Sequence, residues 1–217
     1  GNRKILMSVA KTRELMIDVA RQLFAKIGVE KTTMNDIADA ANKGRRTLYT
    51  YFKSKKDIYF AVVHKELDEL YSSLETAALV SMSPTKKLMH FIYTHLEAIK
   101  EIVVRNGTLR ADFFRDIWKV ETARKEFDLK EEHLICSILD EGVRLNAFSI
   151  PDTHITAKIL LHSIKGLEVP YISGHLRHAG TIAFERISEN VEHLIFHGIC
   201  LSPAVNSGEE EIGSESV

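Results

Sequence analysis

Apolar residues recur every three or four positions along most of the 217-residue chain, the period of helices that bury one face. In the first such run, Leu15, Met16, Val19, Ala20, Leu23, Phe24 and Ile27 predict a helix that Gly28 is placed to end. Thr33-Met34-Asn35-Asp36 then has the form of a capping box, a hydroxyl at the helix start answered by a carboxylate three residues on. Ile37, Ala38 and Ala41 give that helix a short apolar face. Asn42-Lys43-Gly44 supplies a turn tolerant of positive φ. A second short helix follows over Arg45 to Phe52, with Leu48 and Phe52 as its buried pair.

Ser54-Lys55-Lys56-Asp57 repeats the capping pattern and opens a long helix with Ile58, Val62, Leu67, Leu70, Tyr71 and Leu74 on its inner face. Ser81-Met82-Ser83-Pro84 breaks it, and Pro84 suits the first turn of the next helix. Further helices are predicted near 84–105, 109–118, 121–147, 152–172 and 181–200, separated by Asn106-Gly107, Ser149-Ile150-Pro151-Asp152 and Ser173-Gly174. From Ser202 onward the tail is polar and acidic, with Glu209, Glu210 and Glu211. No stretch alternates as a strand does, so the pattern predicts an all-α fold.

A net charge of −1 conceals a strong asymmetry. Residues 1–65 hold 14 lysines and arginines against six acidic residues, whereas residues 66–217 hold 15 against 24. A basic N-terminal quarter suits a polyanionic partner, although a solvated basic face has the same composition. No run approaches 18 unbroken apolar residues, which argues against a membrane span, and Gly1 to Met7 carries no secretory apolar core. Cys136 and Cys200 are too few and too far apart for a disulfide framework, so a cytoplasmic location is expected.

Two short helices joined by a tight turn form a helix-turn-helix unit, whose second helix can read base edges in the major groove. Here that helix opens with Arg45, Arg46 and Thr47, side chains able to reach guanine edges, phosphates or thymine methyls. Tyr49 and Tyr51 offer hydroxyls to phosphate oxygens, and Lys55 and Thr33 stand at helix starts, where free N–H groups favour phosphate. Spacing of this kind is weak evidence, because such turns also serve as plain connectors. More specific is Thr32-Thr33-Met34-Asn35-Asp36-Ile37-Ala38-Asp39-Ala40-Ala41 followed by Thr47-Leu48-Tyr49-Thr50-Tyr51-Phe52-Lys53-Ser54-Lys55. Over residues 12–65, including Phe24 and Gly28, the chain resembles the DNA-binding domain of the tetracycline-repressor (TetR) family of bacterial regulators.

That resemblance implies three N-terminal helices on DNA and a helical C-terminal domain for ligand binding and dimerisation. It implies phosphate contacts for Thr33, Tyr49, Tyr51 and Lys55, and base reading for Arg45, Arg46 and Thr47. The turn departs from the family pattern. Asn42 replaces a common Gly, Lys43 an apolar residue, and Gly44 a capping Ser or Thr. Asn tolerates the left-handed conformation, while Gly caps more weakly than Ser. Arg46 stands where a small residue is usual, so base preference does not transfer from relatives.

Other signals are weaker. His193 and His197, and His175 and His178, have helical spacing, but Leu194 after His193 rules out an HExxH motif, and surface histidines are the expected reading. Asp112, Asp116, Glu131, Glu132, Asp140 and Glu141 read as solvated helix faces, and no phosphate loop or nucleophile elbow is present. Neither catalysis, nor a metal, nor a cofactor is therefore expected. Phe184, Ile187, Val191, Leu194 and Gly198, like Ile155, Ile159, Ser163 and Gly166, form stripes on the last two helices. Such stripes suit either an internal core or a twofold four-helix interface, and the resemblance favours the interface. Phe113, Phe114 and Trp118, with Tyr93, His95, Arg110 and His133 on the same middle segments, suit either core or the lining of a ligand pocket.

The resulting expectation is an all-α protein with a helix-turn-helix domain over 1–55, a ligand-binding and dimerisation bundle over 56–201 and a tail over 202–217. Its expected partners are a double-stranded DNA operator, a second copy of itself in a homodimer and a small-molecule effector that releases it as a repressor. The alternative is a DNA-bound adaptor controlled by a protein partner.

Overall fold

The computed structural model describes residues 2–106, 117–173, 189–190 and 193–194, with the backbone alone for 2–6 and 117–123. Seven helices of this region are α1 (Asn2–Ile27), α2 (Met34–Ala40), α3 (Arg45–Tyr51), α4 (Lys55–Leu79), α5 (Pro84–Arg105), α6 (Ile117–Arg144) and α7 (Thr153–Ser173). The expected helices over 109–118 and 181–200 fall largely outside it.

Local chemistry sets the helix ends. Gly28 takes φ +87° and returns its N–H to Phe24 O at 3.0 Å, ending α1 as its position predicts. Thr33 Oγ1 accepts from Asp36 N at 3.2 Å and Asp36 Oδ2 accepts from Thr33 N at 2.8 Å, which completes the capping box of α2. At the start of α4 half of the expected box forms: Ser54 Oγ accepts from Asp57 N, without the reciprocal bond. Asn42 adopts φ +50°, with Asn42 N donating to Asp39 O and Lys43 N to Ala38 O. These paired bonds are a Schellman motif built on Asn instead of Gly, and they hold the turn between α2 and α3.

A second Schellman motif ends α6. Asn146 takes φ +54°, and Ala147 N and Asn146 N donate to Gly142 O and Val143 O. The chain then folds Phe148 back onto Gly142, where a Cβ would lie 2.0 Å from the ring. Gly142 is there because only hydrogen leaves room.

One core runs the length of α4. At its start Ile58 and Val62 pack with Met16, Ile17, Ala20 and Phe24 of α1, Ile37 of α2 and Leu48 of α3. Farther along, Leu70 and Leu74 join Leu88, Phe91 and Ile92 of α5, Ile135 and Leu139 of α6, and Leu161 and Ile164 of α7. Two expected core residues of α1 lie outside it: Leu15 and Ile27 are exposed, and Ile17 is buried instead. The buried stripe is centred near Met16 and Ala20, and Leu15 and Ile27 lie off its edges. Tyr71 of α4 is half-buried at the rim of the core. Among the described residues no helix is long and apolar enough to cross a membrane.

Candidate functional site

α3 is seven residues long, about 10 Å at 1.5 Å per residue, and is seated by one side chain, Leu48, which is fully buried. Anchoring on Leu48 turns Arg45, Arg46, Thr47, Tyr49 and Thr50 outward, and all five are exposed. The Arg45 guanidinium lies 5.6 Å from the Tyr49 ring centroid, a cation–π contact that holds both side chains along the outer face. Between Asp39 and Asp57 the sequence carries six cations and no acid. That gap in the acidic residues also singles out Lys43, Lys53 and Lys56, all exposed, which motif spacing alone did not.

The other residues expected to meet DNA differ in their surroundings. Thr33 is exposed at the start of α2, with its hydroxyl engaged in the capping box. Tyr51 is half-buried against the core. Lys55 Nζ donates to Val29 O at 2.7 Å and to Glu30 O at 3.1 Å, so this ammonium ties the loop after α1 to the start of α4.

The residues expected around a ligand do not form one wall. Tyr93 is half-buried, His95 is 1% exposed, and His133 is exposed on α6. Arg110, Phe113 and Phe114 lie outside the described residues, as does the side chain of Trp118, whose backbone is in α6. Of the expected interface residues, Ile155, Ile159, Ser163 and Gly166 share the exposed face of α7, with Ile155 and Ile159 57% and 60% exposed. Val169 continues that apolar stripe, and Leu194 is exposed. Val191 and Gly198 are outside the described residues. So are His175, His178 and His197, while His193 is exposed. Among the described residues no three His, Cys, Asp or Glu side chains are grouped to hold a metal.

Glu131, expected on a solvated face, is fully buried. His95 of α5 stands between two carboxylates: Nδ1 is 2.6 Å from Glu131 Oε1 of α6, and Nε2 is 3.0 Å from Glu168 Oε1 of α7. The Glu131 approach is poorly aligned for a hydrogen bond, so the contact is chiefly coulombic, and neither Glu131 oxygen has a well-formed hydrogen bond among the described residues. Burial disfavours a charged ring, but the negative charges of Glu131 and Glu168 outweigh it and raise the His95 pKa to about 9. Arg124 reaches Glu168 Oε2 at 3.6 Å. A parallel bridge lies nearer α1, where buried Glu66 of α4 pairs with Arg105 of α5 and, at 3.7 Å, with Arg21 of α1. Sequence periodicity held a signal for these carboxylates. Glu131 falls within the stripe Phe127, Ile135, Ile138, and Glu168 within Leu161, Ile164, Tyr171.

Residues 16–62, which span the buried part of α1, the helix-turn-helix and the start of α4, match the family model described as bacterial regulatory proteins, tetR family. This segment is similar to the DNA-binding region of the TetR family. The KstR2 repressor of Mycolicibacterium smegmatis is 29% identical over 151 residues, 67% of this chain and 71% of the relative. The probable acrEF/envCD operon repressor of Escherichia coli K12 is 35% identical over 102 residues, 46% of each chain. A crystal structure of a transcriptional regulator from Cytophaga hutchinsonii superposes with a TM-score of 0.68 at 24% identity, covering 87% of this chain and 98% of that one. The flavonoid-responsive regulator FrrA gives 0.65 at 21% identity, over 89% and 100%. These structures share the fold. With a segment that matches the TetR-family model and an outward cationic α3, the protein is a DNA-binding transcriptional regulator.

Proposed function

We propose that this regulator is a cytoplasmic repressor that binds a palindromic double-stranded operator as a homodimer and leaves it when a small molecule enters its body. Residues 1–55 form the DNA-binding domain, and residues 56–201 sense the effector and dimerise. Arg45, Arg46 and Thr47 read bases, while Thr33, Tyr49, Tyr51 and Lys55 meet or position the phosphate backbone. The observation that carries this reading is the exposed face of α3, where Arg45 stacks on Tyr49 and no acidic residue intervenes between Asp39 and Asp57. Support for the dimer comes from the exposed apolar stripe Ile155, Ile159, Val169 along α7, which on an isolated protomer faces water. A seven-residue recognition helix spans few base pairs, and a twofold pair reads two half-sites.

Selection of bound sites from random double-stranded DNA tests the proposal. The expected product is an inverted repeat whose half-sites lie one helical turn or a multiple apart. Recovery of sequences without twofold symmetry would sink the dimeric reading.

A further inference from the structure

Beside the buried cluster lies a small, partly open cavity of about 30 Å³, lined among the described residues by Glu66, Leu67, Ile99, Ile102, Val103, Arg124 and Glu168. Among the described residues its walls are aliphatic except for two buried carboxylates and one arginine. We infer that this cavity is the nucleus of the effector site and that it takes an organic ammonium ion on an apolar body, with Glu168 as the counter-ion. The inference rests on the effector reading above and specifies the ligand's charge.

Charge accounting within the cluster leads to a cation. Two buried carboxylates, Glu131 and Glu168, share the single ring of His95, and the second cation against Glu168 is the partly exposed Arg124. Glu168 Oε1 is taken by His95 Nε2. Its other oxygen, Oε2, faces Arg124 at 3.6 Å, beyond hydrogen-bond length, and accepts no hydrogen bond from the described residues. Glu168 is 5% exposed and lines the cavity. An under-paired carboxylate at that depth is costly, and an ammonium donating at normal length relieves the cost.

Arg124 is the group that can yield. Its side chain is 29% exposed, against 6% for that of Glu168, so the guanidinium can turn to water while the carboxylate cannot. Because Arg124 is also part of the wall, its departure frees Oε2 and enlarges a space that has room for only a water or two. An anionic ligand would gain Arg124 but place a further negative charge beside Glu168. Leu67, Ile99, Ile102 and Val103 supply the apolar contact.

Calorimetric titration of the full chain with hexylammonium, hexanoate and 1-hexanol separates the charge classes on one carbon skeleton. Hexylammonium is expected to bind about tenfold or more tightly than either of the others. Glu168→Gln should remove most of that preference. Arg124→Ala should tighten hexylammonium binding several-fold, because it deletes the competitor and leaves the carboxylate. This second variant decides the matter even if Glu168→Gln fails to fold. Equal or tighter binding of hexanoate or hexanol, or weaker hexylammonium binding in Arg124→Ala, would overturn the inference. Operator affinity is measured separately with each ligand. Release of DNA by hexanoate or hexanol would keep the effector reading and discard the ammonium site. Hexylammonium binding that leaves operator affinity unchanged would keep the site and discard its effector role.

Discussion

Two arginines, Arg45 and Arg105, show how much a side chain's surroundings decide. Arg45, exposed and stacked on Tyr49, has its guanidinium free for a base edge. Arg45→Ala should therefore alter base preference, by roughly 1–3 kcal/mol if the lost contact is bidentate, as read from binding to operator variants. Arg105, bound to Glu66 and Glu69, has its charge spent within the fold. Lys55 is intermediate, since its ammonium serves the carbonyls of Val29 and Glu30. Lys55→Ala should weaken binding to all sequences alike by loosening the loop before α2, and hydrogen exchange over residues 28–33 should rise with it. Sequence-selective loss would contradict that role. His95 gives a pH dependence with a definite sign. Its pKa is raised in the fold from 6.5 to about 9, so the stability it contributes is fully present below 6.5 and lost as pH rises through 9. The groups facing it are Glu131 and Glu168, with Arg124 beyond. Urea unfolding at intervals from pH 6 to 10 should show stability falling across that window, and a flat profile would refute the charged-ring assignment.

Among the elements, the short helices were the most legible. Thr33 and Asp36, Asn42, Leu48 and Phe52 announced caps, turn and buried pair because these features depend on residues within one turn of each other. Boundaries of the longer helices came within a few residues except at two starts: α1 begins at Asn2, well before the first periodic residue Leu15, and α6 begins at Ile117, where the pattern placed another helix. The interior of the bundle was less legible. A carboxylate in an apolar stripe looks the same whether a surface or a buried histidine faces it, and His95, Glu131 and Glu168 are brought together by three different helices. Gly142 was missed for a similar reason, since the ring it accommodates follows a turn whose course the sequence does not specify. Gly142→Ala should destabilise the protein by about 1–3 kcal/mol through overpacking against Phe148, measured by thermal or urea unfolding. A variant as stable as the parent would mean that Phe148 can leave without cost.

At the scale of the whole molecule, the outward stripe of α7 is the feature that a single protomer does not explain. Burying it across a twofold axis would remove Ile155, Ile159 and Val169 from water. Ile159→Arg would place an unpaired charge in such an interface and should yield monomers with weakened operator binding, judged by sedimentation and by DNA titration. A dimer of unchanged stability would move the interface to another face. The stripe's spacing was visible in the sequence, but its exposure was not, because an apolar face looks the same whether its cover comes from the same chain or from another.

The ties between α1 and α4 carry a mechanical consequence. Lys55 grips the loop after α1, Lys65 Nζ meets Asp18 at 2.6 Å and Glu14 at 3.1 Å, and Glu66 holds Arg21. Fastened at these points, the N-terminal helices follow α4 as the end of a lever follows its arm. At 25 residues α4 is about 37 Å long, given 1.5 Å per residue. Pivoted at its far end by about 5°, such an arm carries its tip roughly 3 Å, close to the 3.4 Å rise between stacked bases along one strand. In the proposed dimer, two protomers swinging in opposite senses would double the change in separation. A tilt small enough to be absorbed by side-chain repacking around Glu66 would thus suffice to put the two α3 helices of the proposed dimer out of step with DNA.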